Sequence, residues 1–482
     1  MLGNPMSKVR RAVIFSSASQ YVVRLIGLAT TMIIARLLTP DEIGTFSVAS
    51  AIVMIIAEFK LLGAADYLVR EEELTEEKIR RALGLTVLIS WSLGLFIMGV
   101  GPLVASYYEL APLAVIFLIL ATTFFLGPFI SIPMALVARR FNFKILLAAN
   151  ILSSIAALVV TVTLINLGFS FYSLAWGHVA KILVEFLVVT LTKGFPTYWR
   201  PMFSNVGLIA KFGIYNSLTN LLTKGVTVAP DLVIGKMGTT AQVGMFSRGQ
   251  GFVTFVSGTL MSGAAPVVLP FLSDAKRSGT NLIEAYTKAT MLMCALVWPV
   301  LAVASVASLP AIRIFFGDQW DAAAPVASIL AIWLILRSTH HFANNLLIAS
   351  SNERAMLEKE AFLFVAIFAL VIFAYPIGFL AVAYSFLILG ILETVIVTWL
   401  LVRVLDLSVF SFYRALLPNL LISLICAAAT FAISIWIPFE AEPAWKPIGV
   451  VALCLPPIWL LSLKVLRHPL YKEIGFTAKR KV

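Results

Sequence analysis

Apolar stretches of roughly 20 residues or more alternate along the chain with short polar turns, and that length carries a helix across a bilayer. About fourteen such stretches fall near 12–38, 42–66, 82–105, 112–138, 144–166, 170–192, 206–234, 242–271, 286–310, 323–349, 360–376, 378–402, 412–437 and 447–466. Membrane strands run about ten residues with alternating polarity. These stretches are longer and continuously apolar, so the pattern predicts helices throughout. The expected fold class is an all-α integral membrane protein. No polar segment between the stretches exceeds about 20 residues, too few for a soluble catalytic domain, so the pattern argues against an enzyme.

The pattern also repeats. "ARLLTPDEIGTFS" at 35–47 returns as "GKMGTTAQVGMFS" at 235–247, and a gapless shift of 200 residues pairs 11–70 with 211–270 at 12 identities. Thr39, Gly44, Phe46, Ser47 and Gly63-Ala64-Ala65 recur as Thr239, Gly244, Phe246, Ser247 and Gly263-Ala264-Ala265. Charges recur too: Arg11, Arg24 and Arg36 fall on Lys211, Lys224 and Lys236. Six spans per copy is an even number, so both copies enter the membrane in the same direction. The expected organisation is two parallel six-helix lobes, 1–200 and 201–405, related by an axis along the membrane normal, with two further helices and a basic tail over 406–482. Pro40 and Gly44, with Gly238 and Gly244, are expected to reverse the chain at the two matching turns.

Composition agrees with a bilayer as solvent: 60% hydrophobic, 12% charged and a mean hydropathy of +0.98, against about 25% charged in soluble domains. The net charge of +12 would suit a nucleic-acid binder if its cations were clustered on one face. Instead, with the N-terminus inside, about 25 of the 36 Lys and Arg fall in cytoplasmic segments, which is the positive-inside bias. Both termini are therefore expected to be cytoplasmic, and no nucleic-acid partner is expected. The basic loops are placed to meet anionic lipid headgroups. The first apolar stretch is followed by a Pro-Asp turn and not by a small-residue cleavage site, so it reads as a retained helix. Cys294, Cys426 and Cys454 all fall in apolar helices, an odd number that supports neither a disulfide framework nor a metal site.

Candidate chemistry lies in the polar residues inside the spans. Ser17, Gln20, Arg24, Gly27 and Thr31 share one helical face, and Ser217, Asn220, Lys224, Thr227 and Asp231 share the matching face of the seventh span. Seven intramembrane cations stand out: Arg24, Lys60, Lys181, Lys211, Lys224, Arg248 and Arg337. Exposing all of them to lipid would cost about 20 kcal/mol. Lys60 and Lys211 are expected to snorkel toward the cytoplasmic side. Glu58, Glu185, Asp231 and Glu393 are the opposing acids, which leaves an excess of about three positive charges and asks for an anion.

Three clusters sharpen this. Arg337, His341 and Asn344 share one face of an expected continuous tenth span that also carries His340 and Asn345. Arg248 precedes glycines 249 and 251, which permit a close approach or a break in the helix. His178, Lys181 and Glu185 form a stripe on the sixth span that reads equally as a structural ion pair or as a proton-linked group. Glu393 stands as a lone acid. The substrate-binding candidates are thus Arg24, Lys224, Arg248, Arg337, Lys181, Gln20, Asn220, His341 and Asn344; Asp231, Glu393 and Glu185 are the ion-coupling candidates.

"ARLLTPDEIGTFSVASAI" (35–52), "DLVIGKMGTTAQVGMFSRGQGF" (231–252), "VLPFLSDAKRSGTNLIEAYTKAT" (268–290) and "FFGDQWDAAAPVASILA" (315–331) resemble the Wzx-type polysaccharide-export flippases, with the later segments similar to the colanic-acid-exporter branch. That family sits in a superfamily with the multidrug and toxin extruders and the lipid II flippases. The resemblance implies a MATE-like fold. It also implies transport of an undecaprenyl-diphosphate-linked oligosaccharide across the bacterial inner membrane by alternating access. Arg24 then becomes the first choice for a diphosphate contact, with Lys224, Arg248 and Arg337 next. No bound cofactor is implied, only coupling to an H⁺ or Na⁺ gradient, and the protein partners implied are a polysaccharide polymerase and a chain-length co-polymerase. A lipid II flippase is the alternative. A drug or cation extruder of the same fold would need an acidic cavity, which the cationic interior opposes.

Overall fold

The computed structural model describes residues 5–60, 63–140, 142–192, 195–262, 281–349 and 352–479, with isolated positions at 268, 272 and 277. Every described span is helical, because in a bilayer a backbone must satisfy its own hydrogen bonds within the segment. The chain divides into two compact units, Met1–Gly244 and Met245–Val482.

The first unit contains α1 (Pro5–Leu37), α2 (Pro40–Ala57), a short α3 (Ala64–Arg70), α4 (Glu76–Tyr108), α5 (Pro112–Arg139), α6 (Phe143–Asn166), α7 (Tyr172–Leu191) and α8 (Gly207–Met237). α5 lies between α4 and α7, α7 packs on α6, α6 on α1, and α8 on α2. A buried cluster including Leu68, Leu83, Leu85, Ile132 and Leu136 ties α3, α4 and α5 together. The Arg139 guanidinium donates to the carbonyls of Leu68 (2.8 Å) and Glu72 (3.2 Å), satisfying backbone acceptors at the end of α3.

α9 (Thr240–Met261) leads into the second unit, followed by α10 (Leu282–Val306), α11 (Ser308–Phe316), α12 (Ala323–Ser338), α13 (Ala343–Ala349), α14 (Glu353–Ala374), α15 (Phe379–Leu405), α16 (Val409–Trp436), α17 (Trp445–Val465) and α18 (Pro469–Lys479). Here α10 packs on α12 and α16, α15 on α12 and α14, and α17 on α16.

Among the described residues, 11 helical stretches are long and apolar enough to cross a membrane. α1, α8 and α9, at 33, 31 and 22 residues, are also long enough. Over the described residues, each of the expected stretches thus corresponds to a helix or, in one case, a broken helix; the eighth, expected to 271, is helical to Met261, and most of the rest of it lies outside the described residues. Two differ in shape. The second span, expected over 42–66, stops at Ala57, where Glu58, Phe59 and Lys60 donate to the carbonyls of Ile55, Ile56 and Ala57 in a tightened turn. The tenth span, expected to be continuous, is interrupted at residues 339–342 between α12 and α13.

The repeated turn is a repeated capping box. The Thr39 hydroxyl accepts from the Glu42 amide (3.3 Å) while the Glu42 carboxylate accepts from the Thr39 amide (2.8 Å); Thr239 and Gln242 make the same reciprocal pair, at 3.2 Å in both directions. Gly44 and Gly244 do not reverse the chain. Both lie inside helices, where the two copies of the turn touch: a Cβ on Gly44 would overlap Thr240, and one on Gly244 would overlap Pro40. The second Gly-Ala-Ala triplet, 263–265, lies outside the described residues.

Candidate functional site

In the first unit, Arg24 is half-buried on α1 and makes no hydrogen bond or ion pair among the described residues. Lys224 and Asn220 are exposed on α8, Ser217 is buried, and Asp231 is half-buried. The two stripes have different neighbours, since α1 packs on α6 and α8 on α2, α3 and α4. The side chains of Gln20 and Lys211 lie outside the described residues.

Glu185 is buried on α7 and accepts a hydrogen bond from Ser153 of α6 at 3.1 Å. It interacts electrostatically with both Lys181 and Lys60. The expectation that Lys60 snorkels toward the cytoplasmic side is wrong: its ammonium turns into the unit, donating to the Thr123 carbonyl (3.3 Å) and lying 5.0 Å from the Phe124 ring centroid. Gly127 leaves the room, because a Cβ there would overlap the end of the Lys60 side chain.

In the second unit the break between α12 and α13 organises a buried polar network. His340, inside the break, accepts or donates on both ring nitrogens: Tyr286 hydroxyl at 2.8 Å on Nδ1 and Thr398 hydroxyl at 2.9 Å on Nε2. Tyr413 meets the same Thr398 hydroxyl at 2.8 Å. Thr398 donates to the Thr394 carbonyl, so it accepts from its other partners, which fixes the proton of a neutral His340 on Nε2 and makes Tyr286 the donor to Nδ1. Phe412 stacks on the imidazole at 5.1 Å. His340 thus pins the broken span to α10, α15 and α16.

Charges flank the break. Before it, Arg337 stands 3.7 Å from Glu393 of α15 and 5.3 Å from the Trp333 ring. Glu393 is therefore not the lone acid expected from sequence. After it, Asn344 accepts from Lys359 at 3.1 Å, and Lys359 pairs with Glu360 at 2.8 Å. The last two side chains are 5% and 3% exposed. Sequence reading missed them, because two adjacent opposite charges at the head of an apolar run look like a helix end at the interface. His341 is exposed and Asn344 and Asn345 are half-buried; with the helix interrupted, Arg337 does not share a continuous face with His341 and Asn344.

Arg248, on an unbroken α9, lies over the rings of Phe316 and Trp320 at 5.8 and 5.7 Å, a packed cation–π position. Gly249 supports the close approach of α9 to Ala323. Among the described residues no group of three or more His, Cys, Asp or Glu could hold a metal ion.

Comparison with known proteins places this arrangement. The chain is 25% identical over 316 residues to a succinoglycan biosynthesis transport protein of Rhizobium meliloti, a match covering 63% of this chain and 61% of that protein. It is 20% identical over 389 residues to a teichuronic acid biosynthesis protein of Bacillus subtilis, covering 78% of each. Among solved structures, a lipid II flippase in an inward-closed conformation superposes with a TM-score of 0.75 at 16% identity, covering 96% of this chain and 99% of that one. An inward-facing MATE-family multidrug transporter of the MOP superfamily gives 0.65 at 15% identity, covering 80% and 96%. The fold is that of these transporters, and the chain is a multi-pass membrane protein. The sequence profile of the polysaccharide biosynthesis protein family matches residues 33–325, well over half of the chain, and this chain belongs to that family.

Proposed function

We propose that the chain is a flippase that moves undecaprenyl-diphosphate-linked oligosaccharide repeat units from the inner to the outer leaflet of the bacterial inner membrane, for assembly of O-antigen, capsule or exopolysaccharide. The observation that carries this reading is the pair of cations within α1 and α8. Arg24 and Lys224, at matching positions of the repeat, have no ion-pair partner among the described residues. A diphosphate supplies the missing negative charge, and a guanidinium can hold two of its oxygens at once. The likeness to a succinoglycan biosynthesis transport protein and to a lipid II flippase supports the same reading.

In this scheme both termini are cytoplasmic, and the repeats 1–200 and 201–405 rock against each other, with 406–482 as an appendage. The lipid tail stays in the bilayer while the headgroup crosses. Asp231, Glu185 and Glu393 are the candidate carboxylates for H⁺ or Na⁺ coupling, each acting in exchange with the partner it already has, and no bound cofactor is needed. A polymerase and a chain-length co-polymerase take up the product.

Deleting the gene should trap lipid-linked oligosaccharide on the cytoplasmic leaflet, and Arg24→Ala should do the same while the protein remains inserted. Normal export by Arg24→Ala removes Arg24 from the mechanism. Trapped lipid-linked peptidoglycan precursor would instead identify a lipid II flippase.

A further inference from the structure

From Lys464 onward the chain carries six Lys or Arg against the single acid Glu473, and α17 fixes where this basic segment starts. Its 21 residues span about 30 Å, the thickness of the hydrocarbon core. Trp445, exposed in its first turn, suits one interface, so Val465 at its other end reaches the opposite edge of the core. Leu466, Arg467 and His468 then turn the chain. Arg467 takes a positive φ of 50°, and Nδ1 of the buried His468 ring accepts from the Leu470 amide at 3.1 Å.

The turn lays α18 back on the second unit. It packs on α10 and α17, and Leu470 joins Leu466 and Trp459 against the buried cluster of Ala295, Ile422, Cys426 and Leu463. An 11-residue helix is marginal in water by itself, and this docking holds it at the depth of the lipid headgroups. Its outer surface is amphipathic. Tyr471 and Ile474, 39% and 37% exposed and three residues apart, are neighbours on the helix. Lys472 is exposed beside them, Lys464 and Arg467 are exposed at the corner, and Lys479, Arg480 and Lys481 follow in the sequence. An acidic protein or a nucleic acid would match the charge and leave Tyr471 and Ile474 in water. An anionic bilayer surface takes both, with phosphates for the cations and the acyl boundary for the apolar pair.

We propose that α18 and the corner before it form an interfacial site for anionic phospholipid, in which Lys464, Arg467 and Lys472 hold lipid phosphates while Tyr471 and Ile474 enter the edge of the acyl layer. The ligand is a lipid of the surrounding membrane and not the cargo, so the site stands whichever molecule is carried. With both termini cytoplasmic, it reads the inner leaflet.

The test is a thermal-shift titration of the full-length protein in detergent with dioleoyl phosphatidylglycerol, dioleoyl phosphatidylcholine and inorganic phosphate. Phosphatidylglycerol should stabilise the wild type at lower concentration than phosphatidylcholine, inorganic phosphate should not stabilise it, and salt at about 0.5 M should remove most of the preference. Lys464→Gln, Arg467→Asn and Lys472→Gln combined should raise the phosphatidylglycerol midpoint about a hundredfold at low salt, at about fivefold per cation; Asn suits the left-handed backbone at 467. All three side chains are exposed, so the lipid-free melting temperature should stay at the wild-type value. Lys464→Arg with Lys472→Arg, which keeps the charge, should keep the affinity, and Ile474→Ser should weaken it several-fold. Changing Arg140, Lys144 and Arg200, exposed cations of the first unit, to Gln should leave it unchanged. A wild-type midpoint in the α18 triple variant, an equal loss in the first-unit variant, or phosphatidylcholine acting as well as phosphatidylglycerol overturns the site. Stabilisation by inorganic phosphate alone also overturns it and assigns the cations to a soluble anion.

Discussion

Replacing Gly44 by alanine tests why the same turn is written twice. The new Cβ would lie 2.6 Å from the Thr240 carbonyl carbon and 2.9 Å from the Gly244 amide nitrogen; the matching Cβ on Gly244 would lie 2.9 Å from the Pro40 carbonyl carbon and 3.2 Å from its Cα. The carbonyl oxygens of Thr240 and Pro40 would lie closer still, and comfortable contacts need about 3.5–4.0 Å, so the two turns must part by more than about 1 Å. Both neighbours are backbone held by capping boxes, with no flexible side chain to yield, and overpacking of this kind costs about 1–3 kcal/mol. Against that, Gly→Ala inside a helix gains up to about 1 kcal/mol. Gly99, within α4 with nothing near its missing Cβ, reports the propensity gain alone. Thermal unfolding in detergent should therefore rank Gly99→Ala at or above wild type, and Gly44→Ala and Gly244→Ala each about 1–3 kcal/mol below Gly99→Ala. The double variant should cost less than the sum of the singles, because the first substitution has already separated the shared contact. Equal shifts for Gly44→Ala and Gly99→Ala, or strict additivity of the pair, would refute the contact.

Lys359→Met strands the Glu360 carboxylate, 3% exposed, and should destabilise by about 3–5 kcal/mol; Lys359→Met with Glu360→Leu should recover most of that loss in the same melt, which distinguishes an ion pair from simple packing. Burial holds the His468 imidazole, just past α17, below its ordinary 6.5. The unfolded state then takes up protons first, so this contribution to stability is intact above 6.5 and is lost as the pH falls below it; His468→Asn should remove that part of the acid sensitivity, and an unchanged pH profile would rule the group out. Thr39→Ala deletes one capping box and should cost about 1 kcal/mol, seen as lower thermal stability than a Thr→Ala control at an exposed helix-interior position.

Much of the fold was legible because membrane physics leaves few choices. A stretch of apolar residues that must satisfy its own backbone becomes a helix, whatever its neighbours do, so each expected span holds a helix among the described residues, the second shortened and the tenth interrupted. The capping boxes at Thr39 and Thr239 also depend on residues three apart, although the turns were expected to rest on Pro40, Gly44, Gly238 and Gly244 instead. The sequence copy also sets Arg24 and Lys224 at matching positions of the repeat, whereas α1 and α8 pack on different helices.

What the sequence by itself determined is thus the local: helix, turn, repeat, and an excess of cations over acids within the apolar stretches. Tertiary structure decided which charges meet. Lys60 looked like an end-of-span lysine until α5 placed a carbonyl, a ring and a glycine beside it. Glu393 looked alone until α15 brought it to Arg337, and Lys359–Glu360 looked interfacial until packing buried them. The break at His340 is held by hydroxyls from three other helices, which no window along the chain contains. Helix formation is settled by contacts a few residues apart, whereas the partner of a buried charge is settled by contacts dozens of residues away, and a sequence pattern records only the first.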